Sequence, residues 1–207
     1  KPLSGVTKKV FLKFLDSLAP ETTYTINFGN SIQDNNENNT LTFFSYTFST
    51  GETIDSLYVR GNTKDAFSQE SDEFISLQLY RVDSLFKDSI IFQDKPTYIS
   101  NTLDSTNYTF QNLKEGKYLL IALKDVDNNY FFDPFFDKIG FIDSLITLPR
   151  DSVIDLKLFK EETEIIWDKP HFINSEKIGF GYYGKLDLDK IKIESNIPDS
   201  VNYVLNK

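Results

Sequence analysis

Apolar residues recur at every second position in short runs along most of the chain. Runs of this kind occur at residues 24–28, 77–79, 108–110 and 156–158, where apolar side chains alternate with polar ones. A period of two places alternate side chains on one face of a β-strand, so each run predicts a strand with one buried and one solvated face. Residues 118–123 are apolar at every position, which is typical of a central strand covered on both faces.

Clusters of Asn, Asp, Ser and Gly separate these runs, at the intervals of roughly 8–12 residues expected of β-sandwiches. We therefore predict an all-β protein built of tandem β-sandwiches. A strand that runs into a glycine turn near residue 51 and a charged stretch at 160–164 divide the chain into three parts. These are residues 1–52, residues 53–160 and a strand-rich C-terminal tail at 161–207. An alternative interpretation of the tail is that it begins a further β domain.

The composition excludes several kinds of site and partner. The 207 residues include 19 Phe and 11 Tyr but no Cys. Without cysteine the chain has no disulfide framework, thiolate metal site or cysteine nucleophile, so its stability depends on packed apolar surface. Thirty-one acidic residues against 22 basic ones give a net charge of −9, which repels phosphate backbones and anionic lipids. We expect no nucleic-acid partner, and no apolar run approaches the roughly 18 residues that span a bilayer.

The middle of the chain carries the pattern of a known sandwich. It has a strand and glycine at 57–61, a strand at 75–80, a strand at 108–113, and the closing motif Leu113-x-x-Gly116-x-Tyr118. This pattern resembles the transthyretin-like, or carboxypeptidase regulatory-like, modules. The glycine accepts a positive φ at the turn, and the tyrosine two residues later can place its ring on the core. One departure is that residues 105–107 replace the usual Asp-Gly turn.

Residues 1–52 resemble the second half of a bacterial Ig-like domain of the S-layer-protein type. The resemblance rests on Thr-Tyr-x-Ile at 23–26, Ile-x-Asp-x-x-x-Asn at 32–38 and Phe-x-Thr at 48–50. It implies a partial domain, because about half of the usual domain would lie upstream of residue 1. Either those strands are lost or another element completes the sandwich. An Ig-like domain followed by a transthyretin-like one is similar to the order in surface lipoproteins of Gram-negative bacteria. That similarity implies an exported protein at the outer membrane or cell surface, in contact with the membrane only through an upstream lipid anchor.

Asp is followed by Ser and then by Leu, Ile, Val or Thr at eight places. This tripeptide resembles the acceptor motif for periplasmic O-glycosylation in some Gram-negative bacteria. The resemblance implies eight candidate acceptors: Ser17, Ser56, Ser84, Ser89, Ser105, Ser144, Ser152 and Ser200. The alternative is structural, because Asp-Ser closes a turn and an aliphatic residue can open the next strand.

The acidic segment 125–133 has oxygen-bearing side chains at alternate positions, as a calcium loop does at positions 1, 3, 5 and 9. Its candidate ligands are Asp125, Asp127, Asn129 and Asp133, and calcium is the one cofactor the sequence suggests. The segment is not an EF-hand, because Tyr130 replaces the required glycine. The alternative is a set of Asx-turns in a strand connection.

Aromatic residues surround Pro134 in the same segment. Phe131, Phe132, Phe135 and Phe136 form either an exposed contact patch for a partner protein or a cover for the end of the sandwich or an interdomain seam.

The sequence gives little support for catalysis. His171 is the single histidine, and the chain has no Gly-x-Ser-x-Gly motif. We predict a non-enzymatic envelope module that acts as a spacer or docking domain for other envelope or outer-membrane proteins. The alternative is a carbohydrate-binding module in which Trp167, Tyr182 and Tyr183 stack on sugars, so that glycans would be the partners. A hydrolase is the weakest interpretation.

Overall fold

The computed structural model describes residues 9, 11–34, 36–42, 44–68, 70–150, 153–184 and 186–187. The chain divides into two compact units, Lys1–Phe159 and Lys160–Lys207. The prediction of an all-β protein is confirmed, since the described residues form fourteen strands and a single four-residue helix. The finer division at residue 52 stays a prediction.

Ten strands and the helix belong to the first unit. In chain order they are β1 (Thr23–Gly29), β2 (Phe44–Ser49), β3 (Leu57–Asp65), β4 (Ser76–Arg81), α1 (Ile90–Gln93), β5 (Tyr98–Asn101), β6 (Asn107–Leu113), β7 (Gly116–Lys124), β8 (Lys138–Phe141), β9 (Ile146–Leu148) and β10 (Leu156–Leu158). The period-two runs of the sequence coincide with β1, β4, β6 and β10, and the continuously apolar run lies in β7.

Two sheets from this unit pack face to face as a sandwich. One has the strand order β10-β3-β6, and the other has the order β5-β4-β7-β8 with β9 also paired to β7. Strand β10 runs parallel to β3, whereas the other pairs are antiparallel. The core between the sheets contains buried side chains from both, such as Val59 and Phe110 from the first and Leu77 and Leu120 from the second.

The Leu-x-x-Gly-x-Tyr motif forms the turn between β6 and β7. Gly116 has φ = 150°, a backbone conformation that side chains disfavour. Tyr118 is completely buried, and its hydroxyl donates a hydrogen bond of 2.8 Å to the carbonyl oxygen of Lys114. The motif therefore anchors the hairpin to the core through one ring, as expected from the sequence.

Strand β4 differs from the expectation of one wet face. Its polar residues Ser76 and Gln78 are buried, as are Leu77 and Leu79. A second apolar cluster, which includes Tyr80 and Phe132, covers the outer face of this sheet. The Tyr80 hydroxyl donates to Oε1 of Gln78 at 2.8 Å, so the buried amide is satisfied. A covering segment distant in sequence, which the local pattern does not reveal, buries this face.

An ion-pair cluster fastens β8 to the end of β3. The Lys138 ammonium lies 2.7 Å from Asp65 Oδ2 and 2.8 Å from Asp72 Oδ2. The hydrogen bond from Lys138, together with backbone N–H donors, holds the pKa of Asp65 well below its ordinary value. Burial alone would lower the pKa of Lys138, but its two carboxylate partners outweigh this and raise it.

The described part of the second unit is an interrupted antiparallel hairpin. Its strands are β11 (Ile166–Trp167), β12 (His171–Asn174), β13 (Lys177–Gly179) and β14 (Tyr182–Tyr183), with β12 paired to β13 and β11 to β14. A backbone hydrogen bond from Asp168 N to Gly181 O bridges the two paired stretches.

Candidate interaction surfaces

Strands β1 and β2 form a two-stranded sheet whose two faces differ in chemistry. Register pairs Tyr24 with Phe48 and Ile26 with Tyr46, and Phe28 lies beside Phe44. On the opposite face, Thr23, Thr25 and Asn27 pair with Ser49, Thr47 and Ser45. Period-two alternation thus collects all the apolar side chains on one side. We call this side the aromatic face, and it consists of Tyr24, Ile26, Phe28, Phe44, Tyr46 and Phe48.

Rings on the aromatic face contact one another across the strands. Tyr24 stacks on Phe48 with centroids 5.6 Å apart, and Tyr46 lies 6.2 Å from the same ring. Phe14, from the preceding segment, adds an edge-on contact with Phe48 at 5.9 Å. The face is nevertheless partly open to solvent, since Tyr46 is 57% exposed and Phe44 38%, while its other four members are partly buried. A contiguous, exposed patch of rings is typical of an interaction surface.

The polar face of β1 and β2 is attached to the sandwich. Nδ2 of Asn112, next to the end of β6, donates to the hydroxyls of Thr47 at 3.1 Å and Thr25 at 3.4 Å. The Thr23 hydroxyl accepts a 3.0 Å hydrogen bond from the backbone N–H of Asp55. These contacts orient the polar face toward the sandwich, so the aromatic face lies on the other side of the hairpin.

Residues 2–50 match the family model of the bacterial Ig-like domain. We call them the Ig-like segment. This confirms the Ig-like part of the resemblance drawn from the sequence, and the segment contains every residue of the aromatic face. Domains of this family occur in bacterial surface and extracellular proteins and are typically non-catalytic. No curated protein and no solved structure gives a significant match to the chain. The transthyretin-like assignment of the sandwich stays a prediction.

Outside the Ig-like segment, the four predicted contact phenylalanines separate in the structure. Phe132 is buried in the second core cluster and lies 5.6 Å from Phe92. Its backbone N–H donates to the carbonyl of Ile91 at 2.9 Å, which fixes the segment over the sheet. Phe136 is exposed, whereas Phe131 and Phe135 are partly buried. Part of this segment therefore covers the sandwich.

Three of the four predicted calcium ligands accept hydrogen bonds from the backbone. Asp125 accepts from the N–H groups of Asn129 at 3.2 Å and Tyr130 at 2.8 Å. Asn129 and Asp133 each accept from the N–H two residues further on, at 2.7 and 2.8 Å, which is the geometry of Asx-turns. Asp127 is exposed. Within the described ranges, no group of three His, Cys, Asp or Glu is arranged to hold a metal ion. Calcium binding stays a prediction.

Asp137 was missed by the sequence analysis. It is buried, and its two carboxylate oxygens accept hydrogen bonds from Val126 N at 3.0 Å and Asp133 N at 2.8 Å. Burial raises the pKa of Asp137, and the neighbouring Asp125 and Asp133 carboxylates act in the same direction. The sequence did not indicate its burial, because an acidic residue immediately before a strand is typical of a turn. Through these two hydrogen bonds the buried side chain links Val126 and Asp133 within the connection of residues 125–137.

The candidate glycosylation sites are mostly accessible. Ser17, Ser56, Ser84, Ser89 and Ser144 are exposed and lie outside the strands. Ser105 is partly buried, and its hydroxyl donates to the Thr102 carbonyl at 3.0 Å. Ser152 and Ser200 lie outside the described residues.

The rings proposed for sugar stacking are exposed but not coplanar. Trp167 and Tyr182 are register partners whose ring planes differ by 60° at a centroid distance of 6.0 Å. This pair does not form the flat platform that would favour a lectin. His171 is exposed on β12 opposite Gly179. In the described part of the chain, no helix has the length and apolar character needed to cross a membrane.

Proposed function

We propose that this protein is a non-catalytic docking module of a bacterial cell envelope, and that it binds a partner protein through the aromatic face of the Ig-like segment. The observation that carries the proposal is the exposure of the Phe44 and Tyr46 rings on one face of a sheet whose other face is attached to the sandwich. A two-stranded sheet is marginal alone, and covering its apolar face would stabilise it.

Local charge indicates the chemistry of the partner. The first fifty residues contain four basic and four acidic residues, although the chain as a whole carries −9. Electrostatic attraction therefore contributes little at this face, and the occupant is an apolar surface of another envelope protein. Binding of this kind is insensitive to salt, in contrast to binding between charged surfaces.

Site-specific photo-crosslinking in the native bacterium tests the proposal. A photoreactive phenylalanine analogue at Tyr46 places the reactive group on the aromatic face. The same analogue at Phe67, an exposed ring outside that face, is the matched control. We expect one discrete adduct from position 46, with an envelope protein identified by mass spectrometry, and none from position 67. Adducts absent from position 46, or the same from both positions, would contradict the proposed function.

We also propose that the exposed Asp-Ser-aliphatic serines carry glycans. Support comes from the exposure of Ser17, Ser56, Ser84, Ser89 and Ser144 outside the strands, since a bulky glycan requires an accessible acceptor. Intact-mass measurement of native protein is the test. A mass equal to that of the bare polypeptide would refute the modification. If the glycosylation machinery recognises the Asp-Ser-aliphatic motif, an Asp-to-Ala change immediately before an acceptor serine should lower the mass by one glycan.

A further inference from the structure

The outer face of the β10-β3-β6 sheet is basic, although the chain is acidic overall. Arg60 and Lys64 on β3 and Lys157 on β10 are exposed and alternate with buried residues. None of the three forms a salt bridge with another described residue. The nearby Asp155 carboxylate instead accepts hydrogen bonds from Asn62, at 3.0 Å from N and 3.1 Å from Nδ2. Three cations are thus left available on one face.

Two of these cations are direct neighbours. Lys64 and Lys157 are register partners in the parallel β3–β10 pair. Like charges placed opposite each other in a sheet destabilise it. An anion between the two ammonium groups would remove that repulsion.

Arg60 lies at a groove on the same face. The groove is shallow and open to solvent, with a volume of about 420 Å³. Its lining residues are Ser56, Tyr58, Arg60, Thr109, Gln111 and Asn112. The Arg60 guanidinium lies 5.9 Å from the centre of the Tyr58 ring, a cation–π distance that helps to orient it. No carboxylate lines this groove.

We propose that this face binds an acidic polysaccharide, with one sugar carboxylate on Arg60 and a second anionic group near the Lys64–Lys157 pair. Guanidinium and carboxylate form charge-assisted, often bidentate hydrogen bonds. The hydroxyl and amide side chains of Thr109 and Gln111 match the neutral hydroxyls of a sugar ring. Four residues along β3 separate the two cationic positions by roughly 13 Å, a span that requires an oligosaccharide. This site lies on the sandwich and does not depend on the aromatic face.

Titration of the whole chain with tetragalacturonate, followed by amide NMR at low salt, tests the assignment. We expect saturable shifts confined to β3, β6 and β10, which weaken as salt is added because exposed charges are screened. The fully methyl-esterified tetragalacturonate keeps its hydroxyls but loses its charge, so it should not bind. Tripolyphosphate supplies charge without a sugar ring and should bind at least about tenfold more weakly, since it is too short to reach both cationic positions, which lie roughly 13 Å apart.

Matched charge variants complete the test. Arg60→Gln should weaken binding of tetragalacturonate by about tenfold or more, as expected on loss of a charge-assisted pair. Lys95→Gln removes one exposed charge outside this face and should change the affinity less than about twofold. Amide spectra that superpose on the wild type establish that both variants are folded. The assignment is overturned if the wild type shows no saturable binding, if the ester or tripolyphosphate binds equally well, or if the two variants behave alike.

Discussion

The sandwich and the hairpin formed by β1 and β2 are built from the same sequence pattern but differ in what covers their apolar faces. In β6, Tyr108 and Phe110 alternate with polar residues and are each only 2% exposed, because a second sheet packs on them. In β1 and β2 the same alternation gathers six apolar side chains on one face, yet none of them is buried: Phe44 and Tyr46 are exposed and the other four are only partly buried. Alternation decides which side chains share a face, whereas burial requires a second layer. The hairpin therefore presents an exposed apolar face that is suited to docking, whereas the buried core between the two sheets of the sandwich supplies stability.

The largest expected effect is a cavity in the sandwich. Leu120 is completely buried in the core between the sheets, so Leu120→Ala should lower the free energy of unfolding by about 2–5 kcal/mol. Urea unfolding monitored by circular dichroism measures this. A loss below about 1 kcal/mol would mean that the core is less tightly packed than the burial indicates.

A smaller but still substantial loss is expected from Gly61→Ala in β3. A Cβ atom at Gly61 would collide with the carbonyl oxygen of Ile154 and approach the Tyr108 hydroxyl, which donates a 2.7 Å hydrogen bond to that carbonyl. Overpacking of this kind costs about 1–3 kcal/mol. The control is Gly29→Ala at the end of β1, where the space is open but φ is +53°, so only a strain of about 1 kcal/mol is expected. Equal losses in urea unfolding would contradict the close approach of β3 to the 154 segment.

The third effect depends on pH. The folded state lowers the pKa of Asp65 through Lys138, so this group stabilises the fold above its ordinary pKa and loses that contribution as the pH falls through its lowered value. Asp65→Asn should therefore be less stable than wild type at pH 6, by about 1 kcal/mol, and the difference should shrink between about pH 4 and pH 2.

Asp127→Asn is the matched control for the pH experiment, because Asp127 is exposed on the 125–137 connection. The difference in stability between Asp127→Asn and wild type should not shrink as the pH falls. The raised pKa of Asp137 acts in the opposite direction, favouring the fold at low pH, but it is common to all three proteins and cancels in the differences. A constant gap between Asp65→Asn and wild type would contradict the ion pair.

The smallest effect on stability is expected on the aromatic face. Tyr46 is more than half exposed, so Tyr46→Ala should change the free energy of unfolding by less than about 0.5 kcal/mol. The same variant should abolish partner binding if the proposed docking is correct. Thermal unfolding and capture of the partner identified by crosslinking measure the two quantities separately. A loss comparable to that of Leu120→Ala would mean that this face belongs to the folded core.

Several features were predictable because they depend on local chemistry. The positions of β1, β4, β6, β7 and β10 followed from the periods of their apolar residues, and the turn of Gly116 and the buried ring of Tyr118 followed from one motif. The bacterial Ig-like resemblance rested on a short run of residues that the family comparison confirmed. All of these features depend on residues that are close in sequence, because such residues set the local backbone conformation and the face of the strand on which each side chain lies.

Other features depended on contacts between distant segments. The burial of Gln78 and Phe132 required a connection to fold over the outer face of the sheet, and the buried Asp137 required backbone N–H groups of that connection. The calcium and contact-patch hypotheses for residues 125–136 were drawn from side-chain type alone, which does not reveal where a carboxylate or a ring points.

The sequence by itself determined that this protein is of the all-β class and which side chains each strand places together, because the period of the apolar residues matches the geometry of a strand. Only the tertiary structure decided which of those faces is covered. Coverage is set by packing between residues far apart in the chain, and that packing left one face of aromatic rings and one face of unpaired cations open to solvent.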